Sequence, residues 1–359
     1  MEFKPAIQKS SGDLVSIFGP CSAESPEQLD LLLNQLGDIK PDLLRAGVWK
    51  PRTRPGHFQG MGEEALAWLV EIKHTYQIKI ATEVATTEHV EACLKAGIDV
   101  LWLGARTTVN PFYVQEIAES LRGVDIPVMV KNPLNPDLHL WLGAIERLYK
   151  CGIEKLAAVH RGFSFYGNSI YRNVPRWQIP LELRRQLPTI QLIADISHIS
   201  GTPEHLYEIA QIALDLNYDG LMIEVHPNPS QALSDADQQI TPEFLRKNIL
   251  SRLSKRNIYS DNSQFNNKIQ LIRSQIDQID LSIINLLAER MNLSESIGLE
   301  KKQNQIAIFQ PDRWEEIIQK LLKAGISKGL TEEFIFSLIE AIHIESIQHQ
   351  SHKMNTDDD

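Results

Sequence analysis

Residues 192–224 read LIADISHISGTPEHLYEIAQIALDLNYDGLMIE, which has the pattern of a complete β–α–β unit. Two short apolar runs, Leu192–Ile196 and Gly220–Glu224, fit buried strands. Between them, Pro203–Leu216 repeats apolar residues at helical spacing, and Thr202 before Pro203 supplies the chemistry of a helix start. Ionisable residues gather where the runs end: His198 past the first, Glu224 and His226 at the second.

The same unit recurs upstream. Strands are predicted at Leu14–Phe18, Leu43–Ala46, Lys79–Glu83, Val100–Leu103, Val128–Lys131 and Lys155–Val159. Helices are predicted at Pro26–Leu36, Glu63–Tyr76, Thr87–Ala96 and Pro111–Leu121, with Ser25 and Asn110 placed as caps before prolines. Eight such units in roughly 250 residues fit an α/β fold, the (β/α)8 TIM barrel, over residues 1–258. A doubly wound open sheet is the alternative, but no GxGxxG follows the first strand.

The composition then changes. Ser254–Asn267 is polar and rich in Asn and Ser, so 259–267 reads as a linker. Residues 268–352 form an expected all-α helical domain: Ile269, Ile272, Ile276, Ile279, Ile283, Leu286 and Leu293 recur at helical spacing, and further helices lie near Asp312–Ala324 and Thr331–His349. The tail, 353–359, is expected to be disordered.

Bulk properties exclude several classes. Of the 359 residues, 43% are hydrophobic and 23% charged, a globular composition, and no apolar run reaches membrane length. A net charge of −10 argues against nucleic-acid or anionic-membrane partners. The N-terminal MEFKPAIQKS has no signal-peptide core, and Cys21, Cys93 and Cys151 form no disulfide framework, so a cytoplasmic location is expected.

Barrel chemistry collects at the C-terminal ends of strands. Those ends carry Cys21, Arg45 with Lys50 and Arg52, Glu83, Arg106, Lys131, His160 with Arg161, His198, and Glu224 with His226. The cations, in an acidic protein, imply a small, multiply anionic substrate. Cys21, His198, Glu224 and Asp235 are mixed S/N/O donors suited to a borderline divalent metal. His160 and His226 fit hydrogen-bonded support as well as direct contact, and Cys93 and Cys151 sit in helical segments as inert thiols.

With those residues in order, the first domain resembles the 3-deoxy-D-arabino-heptulosonate 7-phosphate (DAHP) synthases. The motifs are FGPCSAES at 18–25, LLRAGVWKPRT at 43–53, ATEV at 81–84, GARTT at 104–108, VKNP at 130–133, HRGF at 160–163, DISH at 195–198 and IEVHPNPSQALSD at 223–235. The resemblance implies condensation of phosphoenolpyruvate with erythrose 4-phosphate. It implies Cys21, His198, Glu224 and Asp235 as ligands of one divalent metal, Mn2+ first, with Fe, Co or Zn as alternatives. It places Arg45, Lys50, Arg106, Lys131 and Arg161 on phosphoenolpyruvate, and Arg52 and Thr53 on the aldehyde substrate. Glu83 is expected to orient the attacking water, and Lys50 to act as the acid for the new hydroxyl. The related 3-deoxy-octulosonate 8-phosphate synthases are the close competitor; the KPRT segment favours the four-carbon sugar.

Residues 271–350 resemble the all-helical chorismate mutases, through LIRSQIDQID at 271–280, LLAER at 286–290, Lys301, Arg313 and IESIQHQ at 344–350. The resemblance implies rearrangement of chorismate to prephenate with no cofactor. It assigns Arg273, Arg290, Lys301, Gln310, Arg313, Ser346 and Gln350 to the pocket, with Arg290, Lys301 and Gln350 catalytic. Where the family carries acidic residues near Arg313, this chain has Gln310 and Trp314. Arg273 and Arg290 are about 25 Å apart along one helix, too far for one ligand, so a homodimer through the helical domain is expected. A second reading makes these helices chiefly a dimerisation and feedback module sensing chorismate or prephenate, because nothing before the first strand reads as a feedback domain.

Overall fold

The structure is a computed structural model describing residues 1–9, 14–50 and 56–356. It divides into two units, Met1–Ile258 and Tyr259–Asp359.

In the first unit, eight strands follow one another around a closed parallel barrel: β1 (Val15–Gly19), β2 (Leu43–Arg45), β3 (Ile80–Val84), β4 (Val100–Leu103), β5 (Val128–Lys131), β6 (Leu156–His160), β7 (Gln191–Asp195) and β8 (Gly220–Glu224). β8 returns to β1 in register from Val15–Gly220 to Gly19–Glu224. Alternate side chains fill the interior, among them Val15, Ile17, Leu43, Val100, Trp102, Met129, Ile193 and Met222. The Ile7 backbone exchanges hydrogen bonds of 2.9 and 3.0 Å with the Gln191 side chain, so Ala6 and Ile7 close the barrel end opposite the strand C-termini.

Strand boundaries depart from the sequence reading by a residue or two, for local reasons. β7 stops at Asp195 because that side chain accepts from the His198 N–H at 3.3 Å and caps a helical turn, Ile196–Ser200. Lys155 stays outside β6 and pairs with Asp125 at 2.7 Å. The helix expected over 203–216 opens as a 3-10 turn, Pro203–His205, and continues as Leu206–Asp215.

Among its described residues the second unit has three helices, Ser263–Gln303, Pro311–Ile326 and Glu332–Asn355. The first starts four residues before the predicted end of the linker: the Asn262 side chain accepts from the N–H groups of Gln264 and Phe265 at 3.0 and 3.1 Å and caps it. The last continues through Lys353–Asn355, in place of the disordered tail expected there, and 357–359 lie outside the described residues. Met291, Ser294 and Gly298 are buried on the first helix, as are Ser346 and Gln350 on the last. The stretch of the 41-residue first helix up to Leu286, by contrast, leaves Leu271, Ile272, Ile276, Ile279, Ile283 and Leu286 exposed. Among the described residues, no helix is long and apolar enough to cross a membrane.

Gly19 ends β1 with φ +150°, and a Cβ there would lie 2.1 Å from the Arg45 carbonyl oxygen. Gly19→Ala is therefore expected to destabilise the first unit by about 3 kcal/mol or more. Urea denaturation followed by near-UV signal checks this, and an unchanged midpoint would contradict it.

Candidate functional site

The strand C-termini bring together buried groups of opposite charge. Asp195 ends β7 fully buried; its carboxylate accepts from Lys131 Nζ at 2.8 Å and meets His198 Nδ1 at 3.0 Å and Arg45 Nη1 at 4.0 Å. Burial alone would raise its pKa, but His198, Lys131 and Arg45 hold it well below the usual carboxylate range. Glu224, at the end of β8, meets Arg45 Nη2 at 2.8 Å and accepts from Gln238 Nε2. Its Oε1 pairs with Arg45 in charge but lies off hydrogen-bond alignment, so that oxygen keeps free accepting capacity.

Three of the four expected metal ligands converge. The donor atoms of Cys21, Glu224 and Asp235 all lie within 4.8 Å of one another. Cys21 Sγ is 3.4 Å from Asp235 Oδ2, and Asp235 holds left-handed backbone, φ 47°. The fourth, His198, sits beside them with Nδ1 committed to Asp195 and 3.9 Å from Glu224 Oε1, which leaves Nε2 as the ring atom for a ligand. Burial and the Glu224 charge push the Cys21 thiol up to about 12. A buried thiol and two carboxylates in contact are a poor arrangement for folding alone; their donor set and the free Glu224 oxygen fit a divalent cation.

The cations divide into groups. Arg45, 1% exposed, keeps Nε and Nη1 without hydrogen-bond partners, and those N–H groups can receive an anion. Lys131 is buried at the end of β5. Arg161 is buried, donates to Asn173 Oδ1 at 2.6 Å, and is brought down to about 10 by burial. Arg106 is exposed on a short helical turn after β4. Lys50 Nζ donates to the Cys21 carbonyl and lies 3.2 Å from Cys21 Sγ, so it rests on the thiol. Arg52 and Thr53 lie outside the described residues.

Several contributors escaped the sequence reading. Trp102 lies in an apolar strand where only the inward alternation of β4 marks it out. Its indole donates to Glu83 Oε2 at 3.0 Å, and its ring lies 5.2 Å from the Arg45 guanidinium and 5.6 Å from Lys131 Nζ. Gly104 is needed beside it, because a Cβ would meet Glu83 Oε1 at 2.1 Å. Arg172, in the long connection after β6, joins Asp235 at 3.1 Å and Gln238. His160 is hydrogen-bonded to the Pro175 carbonyl at 2.6 Å and Tyr218 at 3.0 Å, and burial lowers it to about 3. His226 lies 3.6 Å from Glu24.

In the second unit, Arg290 bonds Ser346, and Lys301 donates to the Ile308 carbonyl at 2.6 Å. Burial lowers the pKa of both Arg290 and Lys301. Lys301 and Gln310 line one cleft with Leu293, Ile297, Glu300 and Ile306. Gln350 is buried with Oε1 unpartnered. Arg313 is turned to the surface against Glu316 at 2.6 Å, and Arg273 stands exposed near the far end of the first helix. Trp314 stacks on His343 with ring centroids 4.0 Å apart.

Comparison with known proteins agrees with this division. A family model described as "DAHP synthetase I family" matches residues 3–255, and one described as "Chorismate mutase type II" matches 272–351. The phospho-2-dehydro-3-deoxyheptonate aldolase of Thermotoga maritima is 27% identical over 241 residues, 67% of this chain and 69% of that protein. The 2-dehydro-3-deoxyphosphooctonate aldolase of Polaromonas naphthalenivorans is 26% identical, covering 69% of this chain and 93% of that protein. The bifunctional chorismate mutase/prephenate dehydratase of Buchnera aphidicola is 38% identical over 85 residues, 24% of this chain and 22% of that protein. A crystal structure of a Thermotoga maritima DAHP synthase superposes with TM-score 0.57 at 26% identity, over 66% of this chain and 67% of that one.

Asp195 orients His198 and balances two cations, so Asp195→Asn is expected to weaken divalent-metal binding by about 10–100-fold. Metal retained after dialysis against graded chelator reads the loss; retention equal to wild type would show that His198 does not depend on Asp195.

Proposed function

The chain belongs to the DAHP synthetase I family, and from that premise we propose how labour is divided among the residues of its two sites. The barrel condenses phosphoenolpyruvate with erythrose 4-phosphate to give DAHP and phosphate, and the helical domain rearranges chorismate to prephenate. One chain thus carries a transferase and an isomerase of the shikimate pathway. The mutase match gives the helices an activity of their own, so a sensor role is not needed to account for them.

The observation that carries the barrel assignment is the Cys21, Glu224 and Asp235 triad beneath a buried arginine with unpaired N–H groups. Cys21, His198, Glu224 and Asp235 hold one divalent cation, Mn2+ by our reading, with Fe, Co or Zn as alternatives for this donor set. When bound, it supplies Lewis-acid polarisation of the aldehyde oxygen. Arg45, Lys131 and Arg161, with Arg106 at the rim, bind the carboxylate and phosphate of phosphoenolpyruvate, and the unpaired N–H groups of Arg45 give it a built anion seat. Arg52 and Thr53 receive erythrose 4-phosphate. The C3 carbon of phosphoenolpyruvate attacks the aldehyde carbon, and Lys50, seated at the cysteine, delivers the proton to the new alkoxide. Glu83, fixed by the Trp102 indole and pressed against Gly104, orients the water that adds at C2 before phosphate leaves. The KPRT segment favours the four-carbon aldehyde over the substrate of the octulosonate enzymes.

In the mutase, Arg290 and Lys301 hold the carboxylates and ether oxygen, Arg313 joins them by leaving its surface pair with Glu316, and Gln310, Ser346 and Gln350 complete the pocket. The reaction needs no nucleophile, since positioned cations preorganise the reactive conformer. Arg273 stands 17 positions before Arg290, about 25 Å away on the same straight helix, so a second copy of this chain supplies its Arg273 to each pocket. The exposed apolar stripe from Ile272 to Leu286 supports that homodimer, because it has no cover among the described residues of its own unit and repeats at helical spacing. The chain's three cysteines are free and buried, in keeping with a reducing, cytoplasmic setting.

Cys21→Ser, or EDTA on the wild type, is expected to cut DAHP formation by about 100-fold or more and leave the mutase within about twofold. Equal loss of both activities in a coupled assay would contradict separate sites. For the shared pockets, mixing inactive Arg273→Ala and Arg290→Ala proteins is expected to restore about a quarter of wild-type mutase activity, since half the dimers become mixed and each has one intact pocket. No recovery after verified exchange of subunits would rule out pockets shared between copies.

A further inference from the structure

The mutase reading above leaves one part of its substrate without an assigned partner. Chorismate has two carboxylates and an ether oxygen, which Arg290, Lys301 and Arg313 suit, and also a neutral secondary hydroxyl on the ring. A hydroxyl is best matched by a neutral group that can both donate and accept.

Helix Glu332–Asn355 presents Ile339, His343, Ser346 and Gln350 at spacings of four, three and four, a single face of the helix. On that face Ser346 takes the hydrogen bond of Arg290, and Gln350 is buried with Oε1 free. His343 therefore stands one turn from the arginine-bearing position, on the side that faces the first helix. Its Nε2 is buried and has no hydrogen-bond partner among the described residues. Leaving such a group unpaired in the folded protein costs free energy, which is a common mark of a ligand position.

Two aromatic rings hold the imidazole in place. Trp314 stacks on it with centroids 4.0 Å apart and planes 24° apart, and Phe309 meets it edge-on at 6.1 Å. Burial, with the facing cations Arg290 and Lys301, keeps the ring below its ordinary pKa and so neutral. A neutral imidazole has one donor and one acceptor nitrogen. Trp314, which cannot accept a hydrogen bond, thus gains a role as the plate that fixes the His343 ring.

We propose that His343 binds the ring hydroxyl of chorismate through Nε2, with Trp314 orienting the imidazole. The proposal rests on the mutase pocket assigned above. It makes His343 a specificity residue that selects a hydroxylated substrate, and places no demand on the pericyclic step itself.

The test uses the full-length protein, with chorismate and with an analogue lacking the ring hydroxyl, in wild type, His343→Phe and His343→Gln. His343→Phe keeps the stack on Trp314 and removes the polar atom. It is expected to lower kcat/KM for chorismate roughly 2- to 12-fold, the size of one neutral hydrogen bond. Wild type should lose a similar factor on the deoxy analogue, whereas His343→Phe should treat the two substrates alike. His343→Gln should recover part of the discrimination. DAHP synthesis and helical content in the same preparations report folding. If His343→Phe still discriminates between the substrates as wild type does, the hydroxyl contact is elsewhere and the proposal fails. If wild type itself neither turns over nor binds chorismate, the pocket assignment fails and takes this proposal with it.

Discussion

Asp195 is an ionised carboxylate taken wholly out of water, and such a charge is stable only while its partners stay in place. Those partners come from three parts of the chain: Arg45 from β2, Lys131 from β5, and His198 from the helical turn that Asp195 itself caps. Arg45 also pairs with Glu224 on β8, so one network ties four strand ends together. Removing one partner would leave an uncompensated buried charge, at a cost of about 3–5 kcal/mol. The network therefore holds the strand ends in one arrangement and sets the imidazole so that Nδ1 faces Asp195 and Nε2 faces the ligand side. The positions of His198, Arg45 and Glu224 follow from it.

The anion-binding character is local. The protein has a net charge of −10, yet Arg45, Lys131 and Arg161 are concentrated and buried at one end of the barrel. Their low-dielectric setting strengthens attraction to an anion, and the Asp195 and Glu224 carboxylates keep them from destabilising the folded barrel. Trp102 adds a second constraint, since its ring lies near both Arg45 and Lys131 while its N–H positions Glu83. A barrel interior that is otherwise aliphatic thus places one polar edge where the chemistry needs it.

The helical unit solves a different problem. Its Arg290 meets Ser346, but its longest helix leaves an apolar stripe exposed, and Arg273 lies far along that helix. One chain therefore buries only part of the apolar surface it makes. The homodimer proposed above would cover that stripe and bring Arg273 of a second copy to the pocket. Within one copy, Trp314 stacks on His343, whose buried Nε2 has no hydrogen-bond partner among the described residues.

Much of this was legible before any coordinates. Periodicity identified all eight strands, because a barrel strand buried on both faces reads as an apolar run whatever surrounds it, whereas the helices Leu138–Lys150 and Gln178–Gln186 were not among those predicted. Chain order also placed Cys21, Arg45, Lys131, Arg161 and Glu224 at strand ends, where a barrel must gather its chemistry. What remained hidden depends on which side chains meet across strands distant in sequence. Asp195 looked like the end of an apolar run, yet its charge organises residues 64 and 150 positions earlier, Lys131 and Arg45. Trp102 looked like core, Arg172 like loop, and His343 like one more helix residue, because periodicity reports the face a residue occupies and is silent on what stands opposite. Local caps decided the boundaries, as at Asn262 and Asp195, where one side chain oxygen starts a helix that hydropathy alone does not place. Pattern is a property of the chain taken a few residues at a time; pairing, burial and the balance of charge exist only once the barrel has closed.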